Sequence, residues 1–380
     1  MFALRAARLF DGERLADPPT VLVDGDRIVA AGVAIPAEAR LIDLGATTLL
    51  PGLIDCHQHL CFDGVGSLED QVIGVDDDAL LARARASAWC AVRGGVTTLR
   101  DLGDRNYVTL GLRADPSLPT ILSAGPPITR VDGHCWFLGG TCTGEEELRR
   151  AVVARAEHGC DVVKVMATGG YLTPARPMWD AQFSVDELRI VVDEAHGVGL
   201  PVAAHCHGIV GIEYALDARV DTIEHCTFYS SNGRPEPDEA LLERLASSGV
   251  AIAPTIGRLP DHPIPPQLAA NRPIVFGAWR RLHELGAVLV AGTDAGIGPA
   301  RPHDALPHAF GDLLEFGTSP IEGLQALTTS AARACGVADR KGRLAPGFDA
   351  DIIAVNGDPL RDPDALTSVT AVWRAGVQVQ

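Results

Sequence analysis

The stretch DVVKVMATGGYLTPARPMWDAQFSVDELRIVVDEAHGVGLPVAAHCHG, residues 161–208, sets the fold. It opens with a short β-branched run at 161–167, passes through a turn, and enters a helical pattern at 184–198. Ser184 stands three residues before Glu187, the spacing of a capping box at a helix start. A second apolar run at 201–206 follows at once. Strand, helix and strand in this order are one βα repeat of a parallel sheet.

The same alternation fills the middle of the chain. Runs at 48–56, 96–102, 120–125, 161–167, 201–206, 221–226, 250–255 and 287–293 predict eight strands. Helical periodicity predicts helices at 77–93, 144–158, 184–198, 208–217, 237–248, 266–285, 304–316 and 320–335. Eight repeats favour a closed (β/α)8 TIM barrel within the α/β class. An open doubly wound sheet would carry a Gly-rich phosphate loop after its first strand; His57 and His59 stand there instead. The two ends alternate apolar and polar residues, with Asp11-Gly12 and Asp24-Gly25-Asp26 as hairpin turns and Gly347, Gly357 and Pro359 as breaks. Segments 1–47 and 343–380 are therefore expected to pair into one small β-unit beside a barrel at 48–342.

Bulk properties narrow the function. The 380 residues are 47% hydrophobic and 21% charged, without an apolar run long enough to span a bilayer, so a large buried core and no membrane partner are expected. A net charge of −17 with no basic stripe argues against nucleic acid. Asp11 interrupts the N-terminus before any apolar signal region, which makes the cytoplasm the expected location. The nine cysteines are odd in number and form no C-x-x-C pair, so they read as small buried residues rather than a disulfide framework.

Polar residues at the predicted strand ends then need a reason, because a barrel brings those ends to one point. His57 and His59 are two apart and aim the same way from the first strand. Lys164 sits between valines in the fourth, where an ammonium would be costly. It either pairs with an acid such as Asp101 or is a neutral amine able to take up carbon dioxide as a carbamate, whose oxygens bridge two cations. His205 ends the fifth strand; His207 has the same facing but adjoins the turn at Gly208, so His205 is preferred as ligand and His207 as a substrate contact. His225 ends the sixth strand and Asp294 the eighth. Each alone has an ordinary explanation. Together, His57, His59, Lys164, His205, His225 and Asp294 describe a metal site, and their donors suit Zn²⁺, with Mn²⁺, Fe²⁺ and Co²⁺ also compatible.

Across nearly its whole length the chain resembles the amidohydrolase superfamily, and within it the imidazolonepropionase-like branch with metal-dependent Xaa-Pro and related dipeptidases. PGLIDCHQHL (51–60), GGVTTLRDLG (94–103), GHCWFLGG (133–140), VVKVMATGG (162–170), VDTIEHC (220–226), AGTDAG (291–296) and GRLAPGFDADIIAV (342–355) carry the likeness. The resemblance implies two divalent metals. His57 and His59 would bind the more buried one, His205 and His225 the more exposed one, with carboxylated Lys164 bridging and Asp294 completing the first site. It also implies that the terminal segments form a small β-sandwich.

The expected reaction is hydrolysis of an amide C–N bond in a small substrate, a dipeptide or N-acyl amino acid. Hydroxide held between two cations would attack, with Asp294 as general base and then acid. Tyr171 and His134 are candidates to assist at the substrate carbonyl; Arg176, His207 and His303, with Arg130, are candidates for binding the rest. Alternatives on the same centre are a cyclic amide, lactam or lactone hydrolase, or a heterocyclic base deaminase. A non-catalytic scaffold would have lost ligands, and all six are present. Similar proteins are often homo-oligomers, but no residue here reports assembly.

Overall fold

Lys164 lies on the strand Val163–Met166, which pairs in parallel with Val202–Gly208. The helix between them, Val185–Gly197, begins at Ser184, whose side chain accepts from the Glu187 amide while Glu187 reaches back to the Ser184 amide. This is the capping box read from the sequence. In the computed structural model, which describes residues 1–173 and 176–380, the chain has a mixed α/β fold.

Five parallel strands form one sheet in the order Val163–Met166, Val202–Gly208, Thr222–Tyr229, Ala251–Ala253 and Val288–Leu289. Three more, Leu53–Gln58, Val96–Asp101 and Thr120–Ser123, form a second. Isolated parallel bridges Gln58–Ala295 and Ile128–Val165 link their edges. Around them run helices such as Asp77–Arg93, whose buried Ala84, Ala88, Ala91 and Val92 recur at helical spacing and face the main core.

The predicted run 48–56 is two strands. Thr47–Pro51 pairs antiparallel with Ile352–Asn356, and the first parallel strand starts only at Leu53. The chain crosses between sheets at Gly52, where an added Cβ would lie 2.1 Å from the Thr97 hydroxyl. The predicted helix 320–335 is also divided, into Pro320–Ala326 and Thr329–Ala334. At the break, the Thr328 hydroxyl donates to the Leu324 carbonyl, competing with the helical ladder. Helical structure in 304–316 is a short 3-10 turn, Leu306–His308, leading into Ala309–Glu315.

The terminal segments build two further sheets. Phe2–Arg5, Thr20–Asp24, Arg27–Ala31 and Arg40–Asp43 make one; Arg8–Leu9, Thr47–Pro51, Ile352–Asn356, Val369–Arg374 and Val377–Gln378 make the other. Leu4, Val21, Val23 and Ile28 from the first share an apolar cluster with Leu49, Ile352, Ala354 and Trp373 from the second.

Candidate metal centre

The strand ends bring two groups of three donors together: His57, His59 and Asp294, and His205, His207 and His225, with the donor atoms inside each group within 4.8 Å of one another. The His57 and His225 ring centres are 5.1 Å apart, so the groups adjoin. Asp294 Oδ1 lies 3.3 Å from Nε2 of both His57 and His59.

Hydrogen bonds behind the rings decide which nitrogen faces the centre. His57 Nδ1 donates to Glu224 Oε2 at 2.8 Å and His59 Nδ1 to the Gly103 carbonyl at 3.2 Å, leaving both Nε2 lone pairs inward. His205 is reversed: Nε2 donates to the Gly169 carbonyl at 3.1 Å, and Nδ1 has no hydrogen-bond partner among the described residues. His225 Nδ1 and His207 Nδ1 are held by Thr255 and Thr227 hydroxyls. Burial lowers the His57 pKa to about 4 and takes His205 and His225 well below the ordinary value, so these rings are neutral near pH 7 and able to ligate. Burial alone would raise Asp294, but His57, His59 and Arg301 hold it deep in the ionised range.

Backbone conformation supports this placement. His225 and Asp294 have φ of 66° and 56°, left-handed values that non-glycine residues seldom adopt and that cluster at functional sites. Asp55 fixes the approach: its carboxylate accepts from the His57 amide, the Thr293 amide and hydroxyl, and the Gln58 amide group. It thereby ties the first strand to the turn that carries Asp294. A Cβ on Gly292 would meet the His57 Cβ at 2.7 Å, which explains the glycine in AGTDAG.

Lys164 is fully buried, and its Nζ has no hydrogen-bond partner among the described residues. Asp101, the acid considered for it, instead accepts from the Leu60 and Gly103 amides. Burial pushes the Lys164 pKa down, against the pull of Glu224 and Asp294. An unpartnered ammonium in such a place is strongly unfavourable, whereas a neutral amine costs far less.

Residues 48–379 match the profile of the Amidohydrolase family. The chain belongs to that family. Like other amidohydrolases, it is a hydrolase acting on C–N bonds. It is similar to ochratoxinase of Aspergillus niger, at 29% identity over 96% of this chain and 83% of that protein. The imidazolonepropionase of Deinococcus deserti is 27% identical, over 99% of this chain and 95% of its own. A Xaa-Pro dipeptidase structure with methionine in its active site superposes with a TM-score of 0.86 at 27% identity, covering 99% of both chains.

The mouth of this amidohydrolase treats its candidates differently. His134 is buried, its ring 4.5 Å from that of His205 and its Nδ1 3.3 Å from the Thr173 hydroxyl. Gly170 lets it approach, since a Cβ there would fall 2.3 Å from the ring. Tyr171 and Arg176 are exposed. Arg130 is committed elsewhere, with both Glu187 oxygens at 2.7 Å and the Gln182 carbonyl at 2.6 Å. His303 is buried with Nδ1 on Gln58 and Nε2 on the Phe62 carbonyl, so both ring nitrogens face protein partners rather than the mouth.

Sequence reasoning missed Glu224 and Arg100. Glu224 Oε1 receives Arg100 Nη2 at 2.9 Å, and Arg100 Nε donates to the Cys56 carbonyl at 2.8 Å. The available signal was one charged residue in the interior of each of two strands, Glu224 in TIEHC and Arg100 in TTLRD.

Proposed function

We propose that the chain is a metal-dependent amidohydrolase that cleaves the amide C–N bond of a dipeptide or N-acyl amino acid. Its centre would comprise His57, His59, Lys164, His205, His225 and Asp294. The observation that carries the reading is Lys164, fully buried and without a hydrogen-bond partner among the described residues, beside two donor triads. As a carbamate, its side chain would present two anionic oxygens where an amine presents none, and the donor set would then hold two divalent ions, Zn²⁺ being the best match to imidazole and carboxylate ligands.

When bound, such ions acidify water toward neutral pH and polarise a carbonyl. The protein's own groups do the rest. Asp294, ionised and held against His57 and His59, takes the proton from the attacking water and delivers it to the leaving nitrogen. His134 and His207 line the approach to the scissile carbonyl, with Tyr171 at the rim. Arg176, which has no ion-pair partner among the described residues, is offered to a terminal carboxylate; His303 is given a supporting role through Gln58.

The same reading takes the eight parallel strands as a closed (β/α)8 barrel, supported by the bridges at both sheet edges. The terminal sheets are taken as a small β-sandwich, supported by their common apolar cluster. Segments 1–47 and 343–380 form it in this reading, apart from the strand Thr47–Pro51, which carries its pairing slightly past that boundary. Among the described residues no helix is long and apolar enough to cross a membrane; a cytoplasmic location is part of the proposal.

The test combines metal analysis with a screen of the purified protein against dipeptides, N-acyl amino acids and cyclic amides. Two metals per chain, a carbon dioxide adduct on Lys164 and turnover of the first two classes are expected. One metal per chain and release of ammonia from heterocyclic bases would replace the proposal with a deaminase.

A further inference from the structure

Cys56 and Cys335 form an arrangement that no part of the hydrolytic centre uses. They are 279 residues apart in sequence, yet their sulfurs are 3.7 Å apart, the only sulfur–sulfur hydrogen bond among the described residues. Cys56 points from the first parallel strand into an apolar cluster with Ile54, Leu122, Ala253 and Val290. Cys335 enters the same cluster from the turn after Thr329–Ala334. Both are free thiols.

Access is unequal. Cys56 is sealed, whereas Cys335 keeps 9% of its surface. The residues on either side of Cys335, Ala334 and Gly336, line a cleft of about 680 Å³ together with Arg333, His196, Asp221 and Val288. This cleft opens at the N-terminal ends of the strands, opposite the two donor triads, and its wall includes both residues that flank the buried Cys335.

We propose that Cys56 and Cys335 are an oxidative modification site, forming a reversible disulfide when hydrogen peroxide reaches Cys335 through this cleft. Bringing the sulfurs to a bonded length of about 2.05 Å requires an approach of roughly 1.7 Å, a scale that side-chain rotation and small backbone shifts supply. The Cys335 sulfur attacks one peroxide oxygen; the O–O bond breaks, and hydroxide leaves with the Cys335 proton as water. Sulfenic acid is the product. The Cys56 sulfur then attacks the oxidised sulfur, the S–O bond breaks, and the hydroxide leaves with the Cys56 proton as a second water. Two thiols and one peroxide become one disulfide and two waters, and a thiol reductant reverses the change. Disulfides of this kind in reducing compartments are typically transient and redox-sensing.

The experiment treats the full-length protein with graded hydrogen peroxide, blocks remaining thiols, and maps peptides without reductant. A linked Cys56–Cys335 peptide is expected, with both thiols lost in parallel and both restored by dithiothreitol. In Cys335→Ser, Cys56 should stay unmodified at the same dose. Over-oxidation of Cys335 with Cys56 still free overturns the proposal, as does survival of both thiols while the half-buried Cys90 reacts. The native-sequence arm decides alone if the variant fails to fold. Because the readout is the bond itself, the result is independent of whether the hydrolytic reading is correct.

Discussion

Replacing Glu224 by Gln removes one charge and keeps the shape, at a point that links stability to the proposed metal binding. Glu224 is fully buried, with Arg100 at 2.9 Å, His57 Nδ1 at 2.8 Å and the Thr222 hydroxyl at 2.6 Å. Burial alone would raise its pKa, yet Arg100 and His57 hold it at about 2, so it is ionised throughout the neutral range. In Glu224→Gln the buried Arg100 guanidinium loses its counter-ion. Removing one member of a buried pair costs about 3–5 kcal/mol, and the lower end applies because the Gln carbonyl still accepts from Arg100. With about 2.1 cal/mol/K of unfolding entropy per residue over 380 residues, about 3 kcal/mol corresponds to a fall in Tm of about 4 °C.

His57 also loses its carboxylate acceptor, for which metal affinity should fall about 10–100-fold. Calorimetry reads the first effect, and competition with a chelator reads the second. The double variant Arg100→Met/Glu224→Leu separates them. Exchanging a whole buried pair for apolar residues is often neutral, so stability should return while metal affinity stays low. If Glu224→Gln melts with the native protein and holds metal equally well, Glu224 does not orient His57 and the reasoning fails.

Other outcomes follow from the same geometry. Asp294→Asn should retain most metal but lower kcat by at least about 10²-fold, the range for a lost general acid–base; a fully active variant removes its proton-transfer role. Lys164→Met keeps an apolar fit in a buried site, so thermal stability should hold or rise while metal content drops below that of the native protein, read by elemental analysis. Gly170→Ala places a methyl against the His134 ring, and turnover should fall with metal content unchanged. For acid sensitivity, burial would raise Asp349, but Lys341 and Arg340 pull its pKa below the ordinary value. A depressed carboxylate stabilises the fold above its unfolded pKa of about 3.9 and ceases to do so as pH falls through its lower folded value. Melting curves between pH 5 and pH 3, as approximate bounds of that window, should therefore show a steeper loss in the native protein than in Lys341→Met. Equal slopes would show that Lys341 does not lower the Asp349 pKa.

Much of the fold and of the site was legible in local pattern. The helices at 77–93 and 144–158 coincide with Asp77–Arg93 and Gly144–His158 because capping and apolar spacing are properties of a few consecutive residues. The six proposed ligands were visible because strand period and strand end can be read from neighbours. What sequence could not supply was the partner of each polar group. Glu224 reaches His57 across 167 positions and Arg100 across 124, so a charged residue in an apolar strand looks the same whether paired or orphaned. His303 and Arg130 looked like free mouth residues until Gln58 and Glu187 were found against them. Lys164 is the converse: its isolation, like the turn of each imidazole, exists only once the chain has closed water out. Sequence determined which chemical groups meet at the strand ends; tertiary structure decided which of their atoms remain free, because hydrogen bonding and desolvation are set by neighbours distant in the chain.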